Sequence, residues 1–110
     1  MVEPDDVFAA LADPTRRRIL RRLSAEGPLS ATDLAGDFPV SRQAVVKHLS
    51  ALAHAGLLES ERQGREVLYG LVPERLHDAT AWLDEVGRLW DRRLDALVEH
   101  FRSDPGPAGR

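Results

Sequence analysis

Residues 40–58 place side chains that can hydrogen-bond to DNA bases on one face of a short predicted helix. Ser41 is a favourable N-cap, and Gly56 is the residue type that most easily adopts the left-handed conformation after a helix ends. The apolar positions recur at helical spacing and face a core: Val45, Leu49 and Leu52. The opposite face carries Arg42, Gln43, Lys47 and Ser50. This layout predicts a helix that reads the major groove of DNA, although an ordinary amphipathic helix has the same pattern.

The segment before this helix predicts a second, shorter helix and a turn. Ser30 is a favourable N-cap, and Asp33 stands where a capping box needs a side-chain acceptor. Pro39 disfavours helical geometry at Phe38, so the chain breaks over residues 37–40. A short helix, a turn of a few residues and a second helix make a helix-turn-helix motif.

The segment after Gly56 predicts a β-hairpin, or wing. Residues 57–62 and 67–71 have strand composition, and Gln63-Gly64 supplies turn residues between them. Arg62 and Arg65 flank the tip and can reach a phosphate backbone or a minor groove. Solvated hairpin charge is the alternative interpretation of these two arginines.

These segments resemble the ArsR/SmtB-type winged helix-turn-helix repressors. The resemblance begins with the run FAALADPTRRRILRRL at residues 8–23, extends to residue 71 and continues more loosely to Phe101. It also rests on four shorter runs: Leu34-Ala35, residues 40–45, His48-Leu49 with Leu52, and residues 55–58. The family consists of small dimeric prokaryotic repressors. The resemblance therefore implies a mainly α fold with a small hairpin wing, ordered α-α-α-α-β-β-α, and a sequence-specific double-stranded DNA partner.

Composition is compatible with one domain of 110 residues, of which 43% are hydrophobic. We expect a DNA-binding and dimerisation domain over residues 1–102 and a disordered, Pro/Gly-rich tail over residues 103–110. The chain has no cysteine, which excludes disulfides and a thiol switch. Neither a signal peptide nor a membrane-spanning apolar stretch is apparent, so we expect a cytoplasmic protein without a membrane partner.

The net charge of −3 is unevenly distributed along the chain. Residues 14–69 contain nine Lys or Arg against six Asp or Glu, whereas the remainder contains six against twelve. A basic middle between acidic ends allows one face to meet phosphates.

The first long helix is predicted to begin after Asp13, with Pro14 at its first position, and to run to about Ala25. Five arginines lie within seven positions: Arg16, Arg17, Arg18, Arg21 and Arg22. A solvated face paired with acidic neighbours is one interpretation. The other is that Arg16 or Arg17 contacts a phosphate beside the groove.

The C-terminal segment from Pro73 to Phe101 predicts a long helix with a wide apolar stripe. Such a stripe needs a partner surface, and the resemblance implies that the partner is a second copy of the chain. An alternative is that the helix covers its own domain. The dimerisation candidates on this helix are Leu83, Val86, Trp90, Leu94, Leu97 and Phe101. A short stripe near the N-terminus, which suits a dimer contact or the edge of the core, adds Val7, Phe8 and Leu11.

Metal sensing and catalysis have no support in the sequence. Thiolate sensors of the family carry cysteines, and this chain has none. The other site type needs Asp and His pairs on the C-terminal helix, and His77, Asp78, Glu99 and His100 lack the required spacing. No nucleophile motif or phosphate-binding loop is present. We therefore expect no enzyme activity, no metal and no cofactor, and no residue pattern identifies an effector.

We accordingly predict a homodimeric repressor of a pseudo-palindromic operator, for which its own promoter is one candidate. Arg42, Gln43, Val46 and Lys47 face bases or nearby phosphates, while Ser41 and Ser50 fix the backbone register. The rival prediction is a winged-helix module that binds another protein. Val46 supports that rival, because it is aliphatic on the reading face; an aliphatic side chain there can also contact a thymine methyl group.

Overall fold

The computed structural model describes residues 4–103. The described elements, in chain order, are α1 (Asp5–Leu11), α2 (Pro14–Glu26), β1 (Leu29–Ser30), α3 (Ala31–Ala35), α4 (Arg42–His54), β2 (Leu58–Gln63), β3 (Glu66–Leu71) and α5 (Pro73–Ser103). The predicted mainly α fold with a hairpin wing is confirmed. The strand β1 was not predicted, because two residues are too short to show a strand pattern. Helix α5 includes Ser103, and the rest of the predicted tail lies outside the described residues.

Side-chain caps define where α2 and α3 begin. The Asp13 carboxylate accepts hydrogen bonds from the backbone N–H groups of Thr15 at 2.7 Å and Arg16 at 3.2 Å. Ser30 and Asp33 form the predicted capping box, with both hydrogen bonds at 3.1 Å. These caps satisfy N–H groups that have no partner within the helix.

Gly56 ends α4 as the sequence predicts. Its φ of +82° lies in the left-handed region. The N–H of Gly56 donates to the carbonyl of Ala53 at 2.9 Å, and the N–H of Leu57 donates to that of Leu52 at 3.0 Å. This hydrogen-bond pair is the Schellman arrangement, and it turns the chain from α4 into the wing.

The three strands form an antiparallel sheet in the order β1-β3-β2. Gln63 pairs with Glu66, so the two-residue turn consists of Gly64 and Arg65. The prediction that Gln63 and Gly64 form the turn was wrong by one residue. Of the two turn residues only Gly64 has a positive φ, +64°, which is the type II′ pattern that suits the twist of a hairpin. The shift places Arg65 in the turn itself and Arg62 within β2.

The chain divides into two units between Ala79 and Thr80. The first unit contains the core, whose fully buried side chains are Val7, Ile19, Leu34, Val45, Leu49, Leu52 and Leu57. The second unit is the part of α5 from Thr80 onwards. Val7 therefore belongs to the core of its own unit rather than to a surface that a second subunit can cover. Phe8 and Leu11 are half-buried against the same core.

We predict that Gly56→Ala destabilises the protein by about 1–2 kcal/mol, because an L-residue is strained at this φ. An added Cβ also lies 3.0 Å from Nε of Arg75, which narrows the space further. Urea unfolding followed by circular dichroism measures the change. Gly36→Ala is the matched control, since Gly36 has a φ of −69° and no neighbouring atom within 4 Å of the added Cβ. That control should be neutral or stabilising by up to about 1 kcal/mol. Equal effects of the two substitutions would contradict this explanation.

Candidate nucleic-acid interface

Helix α4 presents a polar face to solvent because its opposite face is completely buried. Val45, Leu49 and Leu52 have no exposed surface. Gln43, Lys47 and Ser50 lie on the other side at steps of four and three residues, and all three are exposed. Within residues 4–103, the side chains of Gln43 and Lys47 have no hydrogen-bond or ion-pair partner, so their polar groups are free to bind an external ligand.

Ser41 and Arg42 stand where the turn enters α4. The Ser41 hydroxyl accepts the N–H of Ala44 at 3.1 Å, which makes it the cap of the helix and leaves its own proton available to an external acceptor. Arg42 is exposed, and its Nε donates to the Thr32 hydroxyl at 3.3 Å. Thr32 therefore joins α3 to the first residue of α4 across the turn.

A cleft of about 200 Å³ lies between the N-terminal part of α4 and the wing. Arg42 and Val46 line it from α4, while Arg65, Val67 and Tyr69 line it from the hairpin. Val46 is half-buried and packs against the core, so only part of its side chain faces the cleft. Arg62 is exposed on β2 and is not among the cleft residues.

The other flank of α4 carries Arg16 from α2. Its Nε donates to Nδ1 of His48 at 3.2 Å, and both side chains are half-buried. Arg16 also lines a shallow groove between α1 and α4, together with Ala51 and His54. The exposed face of α4 thus has Arg42 and Arg65 on one side and Arg16 on the other.

The arginines of α2 have different surroundings. Arg22 forms ion pairs with Glu26, at 2.6 Å, and with Asp37. Arg17 donates to the carbonyl of Leu11 at 2.5 Å, at the end of α1. In the described part of the chain no carboxylate lies within ion-pair distance of Arg16. The interpretation of acidic pairing holds for Arg22, whereas Arg16 has no ion-pair partner in the described part of the chain and interacts with the Asp13 carboxylate only at longer range.

Sequence reasoning did not find Thr32, Tyr69 or the pairing of Arg16 with His48. Arg16 and His48 are 32 positions apart, so their meeting depends on how α2 packs against α4. Of these residues only Thr32 could have been recognised from the sequence as a candidate, because its hydroxyl lies in the first turn of the first helix of the predicted helix-turn-helix motif.

The second unit exposes large apolar side chains along one side of α5. Trp90 is 61% exposed and Phe101 is 66% exposed. The other predicted dimerisation residues on this helix that are exposed by half or more are Leu83, Leu94 and Leu97, whereas Val86 is partly covered. Nonpolar surface of this extent on one helix favours a partner.

Residues 4–103 contain neither a metal-binding cluster nor a membrane-spanning helix. Among them no cluster of three or more His, Asp or Glu side chains can hold a metal ion, and the four candidates on α5 do not come together in such a group. None of the helices described is both long and apolar enough to cross a membrane.

Comparison with known proteins identifies the family. A family described as a helix-turn-helix domain matches residues 11–61, from the end of α1 into β2. The HTH-type transcriptional regulator Rv2034 of Mycobacterium tuberculosis is 41% identical over 92% of this chain and 91% of its own. A solved structure of an ArsR-like transcriptional regulator from Rhodococcus sp. RHA1 has 45% identity and a TM-score of 0.77, covering 87% of this chain and 90% of that one. The chain belongs to the ArsR-type family of winged helix-turn-helix transcriptional regulators.

The chain is also similar to a protein named as a repressor and to a solved homodimeric domain. The transcriptional repressor SdpR of Bacillus subtilis is 35% identical over 72% of this chain and 87% of its own. The solved Mb0332 fragment of Mycobacterium bovis is described as a homodimeric winged helix-turn-helix DNA-binding domain. It has 27% identity and a TM-score of 0.61, covering 76% of this chain and 77% of that one.

The Asp13 carboxylate stabilises the end of α2 that carries Arg16. Partial desolvation by itself would raise the pKa of Asp13. The backbone N–H groups of Arg16 and Thr15, together with the charges of His48 and Arg16, outweigh this effect and hold the pKa below its ordinary value. The ionised form is therefore favoured in the folded protein.

We predict that Asp13→Asn lowers the melting temperature at neutral pH while retaining the cap. A lowered folded-state pKa means that the charge stabilises the protein above the unfolded-state pKa of about 3.9 and that this contribution is lost as pH falls through the folded-state pKa. Thermal unfolding of both proteins over a pH series checks the prediction. The melting temperatures should converge in acid, and a difference that stays the same from neutral to acid pH would contradict the charge effect.

Proposed function

We propose that this protein is a homodimeric transcriptional repressor that binds a pseudo-palindromic DNA operator. The observation that carries the proposal is the exposed face of α4, whose polar side chains are unpartnered within the described residues and whose flanks carry Arg16, Arg42 and Arg65. A helix of this width and polarity fits a major groove, and cations on both flanks suit the two phosphate backbones that border it. The proposal implies a cytoplasmic location, because chromosomal DNA is the partner.

Separate roles are proposed for the residues of this face. Gln43 and Lys47 contact base edges, Val46 contacts a thymine methyl group, and Ser41 and Ser50 hold the helix in register through phosphate contacts. Arg42 contacts bases or phosphates beside the cleft. Arg62 and Arg65 hold the wing on the duplex through phosphates or the minor groove.

Dimerisation through α5 is proposed from its exposed apolar stripe and from the homodimeric state given for the Mb0332 fragment. A two-fold dimer presents two α4 helices, which matches the symmetry of a pseudo-palindromic site. Repression is proposed because SdpR, a relative of similar length, is named a transcriptional repressor. We propose no metal, no cofactor and no catalytic activity.

A protein-binding winged helix is the second candidate, and the partly exposed Val46 on the α4 flank favours it. Salt dependence separates the two functions. Neutralising phosphates releases counterions, so DNA binding weakens steeply as salt rises, whereas an apolar protein interface does not.

The decisive experiment is an anisotropy titration of the protein against DNA from upstream of its own gene, at two salt concentrations and with or without a chelator. Specific, salt-sensitive binding that a chelator leaves unchanged supports a metal-independent regulator. Binding no tighter than to random DNA would count against the upstream site as the operator, and the absence of salt-sensitive binding to either DNA would favour the second candidate.

We predict that Gln43→Ala and Arg65→Ala affect DNA binding in different ways. Loss of a base contact relaxes sequence preference at one position, which costs about 1–3 kcal/mol of discrimination. Loss of a phosphate contact weakens binding to all sequences about equally. It also lowers the salt slope, which is the steepness with which the logarithm of the binding constant falls with the logarithm of the salt concentration, by about one. Titrations against the operator and a scrambled duplex measure both effects. The same uniform loss for both variants would disprove the division into base reading and phosphate holding.

We predict that Trp90→Glu converts the dimer into a monomer, because it places a charge in the apolar stripe of α5. Analytical ultracentrifugation over a concentration series measures the oligomeric state. Arg92→Glu on the same helix is the matched control, since Arg92 lies on the polar side at helical spacing and its replacement should leave the dimer intact. A dimer that survives Trp90→Glu would exclude this stripe as the interface.

A further inference from the structure

The contact between Arg16 and His48 joins the start of α2 to the middle of α4. Arg16 is the third residue of α2 and lies on the side of that helix that packs against α4. The donor is Nε of the guanidinium and the acceptor is Nδ1 of the imidazole, at 3.2 Å. Nδ1 of the imidazole is therefore the acceptor of this bond, and no carboxylate takes part in it.

In this contact only Nε of Arg16 donates a hydrogen bond, and the acceptor is not a carboxylate. The two terminal amino groups have no partner among residues 4–103, and no carboxylate there is within 4 Å of the guanidinium. The nearby Asp13 carboxylate accepts the backbone N–H groups of Thr15 and Arg16 instead. An imidazole acceptor, rather than a carboxylate, therefore orients the guanidinium and leaves its terminal amino groups open to an anion.

The other paired arginines of α2 show the contrast. Glu26 and Asp37 neutralise Arg22, so it adds little to an electrostatic surface. A terminal nitrogen of Arg17 donates a hydrogen bond to the carbonyl of Leu11. Arg16 alone among these three has its terminal nitrogens free, and it alone is held against the helix that presents the polar face.

We propose that His48 is a positioning residue for DNA binding, which holds the Arg16 guanidinium beside α4 so that its terminal amino groups meet a backbone phosphate at the edge of the groove. An arginine side chain loses considerable rotamer freedom when it binds. His48 reduces that loss by restricting Arg16 in the free protein, which raises affinity without a contact of its own to DNA. This role for His48 rests on the proposed function.

The test measures affinity for a short random-sequence duplex and for the upstream DNA, by anisotropy at low salt. A phosphate contact is independent of sequence, so both duplexes report it. His48→Leu introduces an apolar side chain of similar size and removes the acceptor. It should weaken binding to both duplexes about threefold to tenfold, as expected for the loss of one hydrogen bond. Arg16→Ala should weaken binding at least as much and lower the salt slope by about one.

A double-mutant cycle separates positioning from packing. In the Arg16→Ala background, His48→Leu should cause no further loss, because nothing remains for His48 to hold. His48→Asn places an amide oxygen near the position of Nδ1. Because this oxygen can accept the hydrogen bond from Arg16, binding should be restored to within about twofold of the wild type. Arg21→Ala is the matched control for charge, since Arg21 is exposed on the opposite side of α2 and should have a smaller effect than Arg16→Ala. Thermal unfolding of each variant verifies that it is folded.

Three results would overturn the role of His48. They are additive losses from His48→Leu and Arg16→Ala, no rescue by His48→Asn, and an Arg16→Ala effect no larger than that of Arg21→Ala. If His48→Leu does not fold, His48→Ala removes the acceptor in its place, and the same double-mutant cycle and Asn comparison are measured against it. A wild-type protein that binds neither duplex in a salt-dependent manner would instead refute DNA binding, and this role with it.

Discussion

Burial of one face of α4 is the interaction on which the rest of this structure depends. Val45, Leu49 and Leu52 are fully covered by the surrounding helices and by the start of the wing. A helix anchored along one face cannot rotate without exposing those side chains to water, which costs about 1.5–3 kcal/mol for each. The same burial that stabilises the first unit therefore determines which residues of α4 face solvent.

The two ends of α4 are equally well defined. At the N-terminus, Ser41 caps the helix directly after a turn that packs Phe38 and Val40 against the core. At the C-terminus, Gly56 and Leu57 complete the Schellman hydrogen bonds and direct the chain into β2. The positions of the reading face and of the wing are consequently coupled, because a single rigid helix with a fixed exit connects them.

Electrostatics then distinguishes residues that look alike in the sequence. The seven positions from Arg16 to Arg22 contain five arginines. Three of them form hydrogen bonds or ion pairs, and the partner differs from one arginine to the next. Arg22 forms ion pairs with Glu26 and Asp37, Arg17 joins α2 to the end of α1, and Arg16 donates to His48. A chain of net charge −3 can thus place an arginine that has no ion-pair partner among the described residues where an anionic partner is expected.

The sequence by itself determined the local features, because they depend on neighbouring residues alone. Capping at Asp13, Ser30 and Ser41, the left-handed Gly56 and the buried stripe of α4 all follow from side-chain chemistry within a few positions. The turn of the wing was misplaced by one residue and β1 was missed, since strand register and a two-residue strand depend on pairing with β3. Only the tertiary structure decided that Val7 is core, that Thr32 meets Arg42 and that His48 meets Arg16. Contacts between distant residues depend on how whole helices pack, which no local pattern encodes.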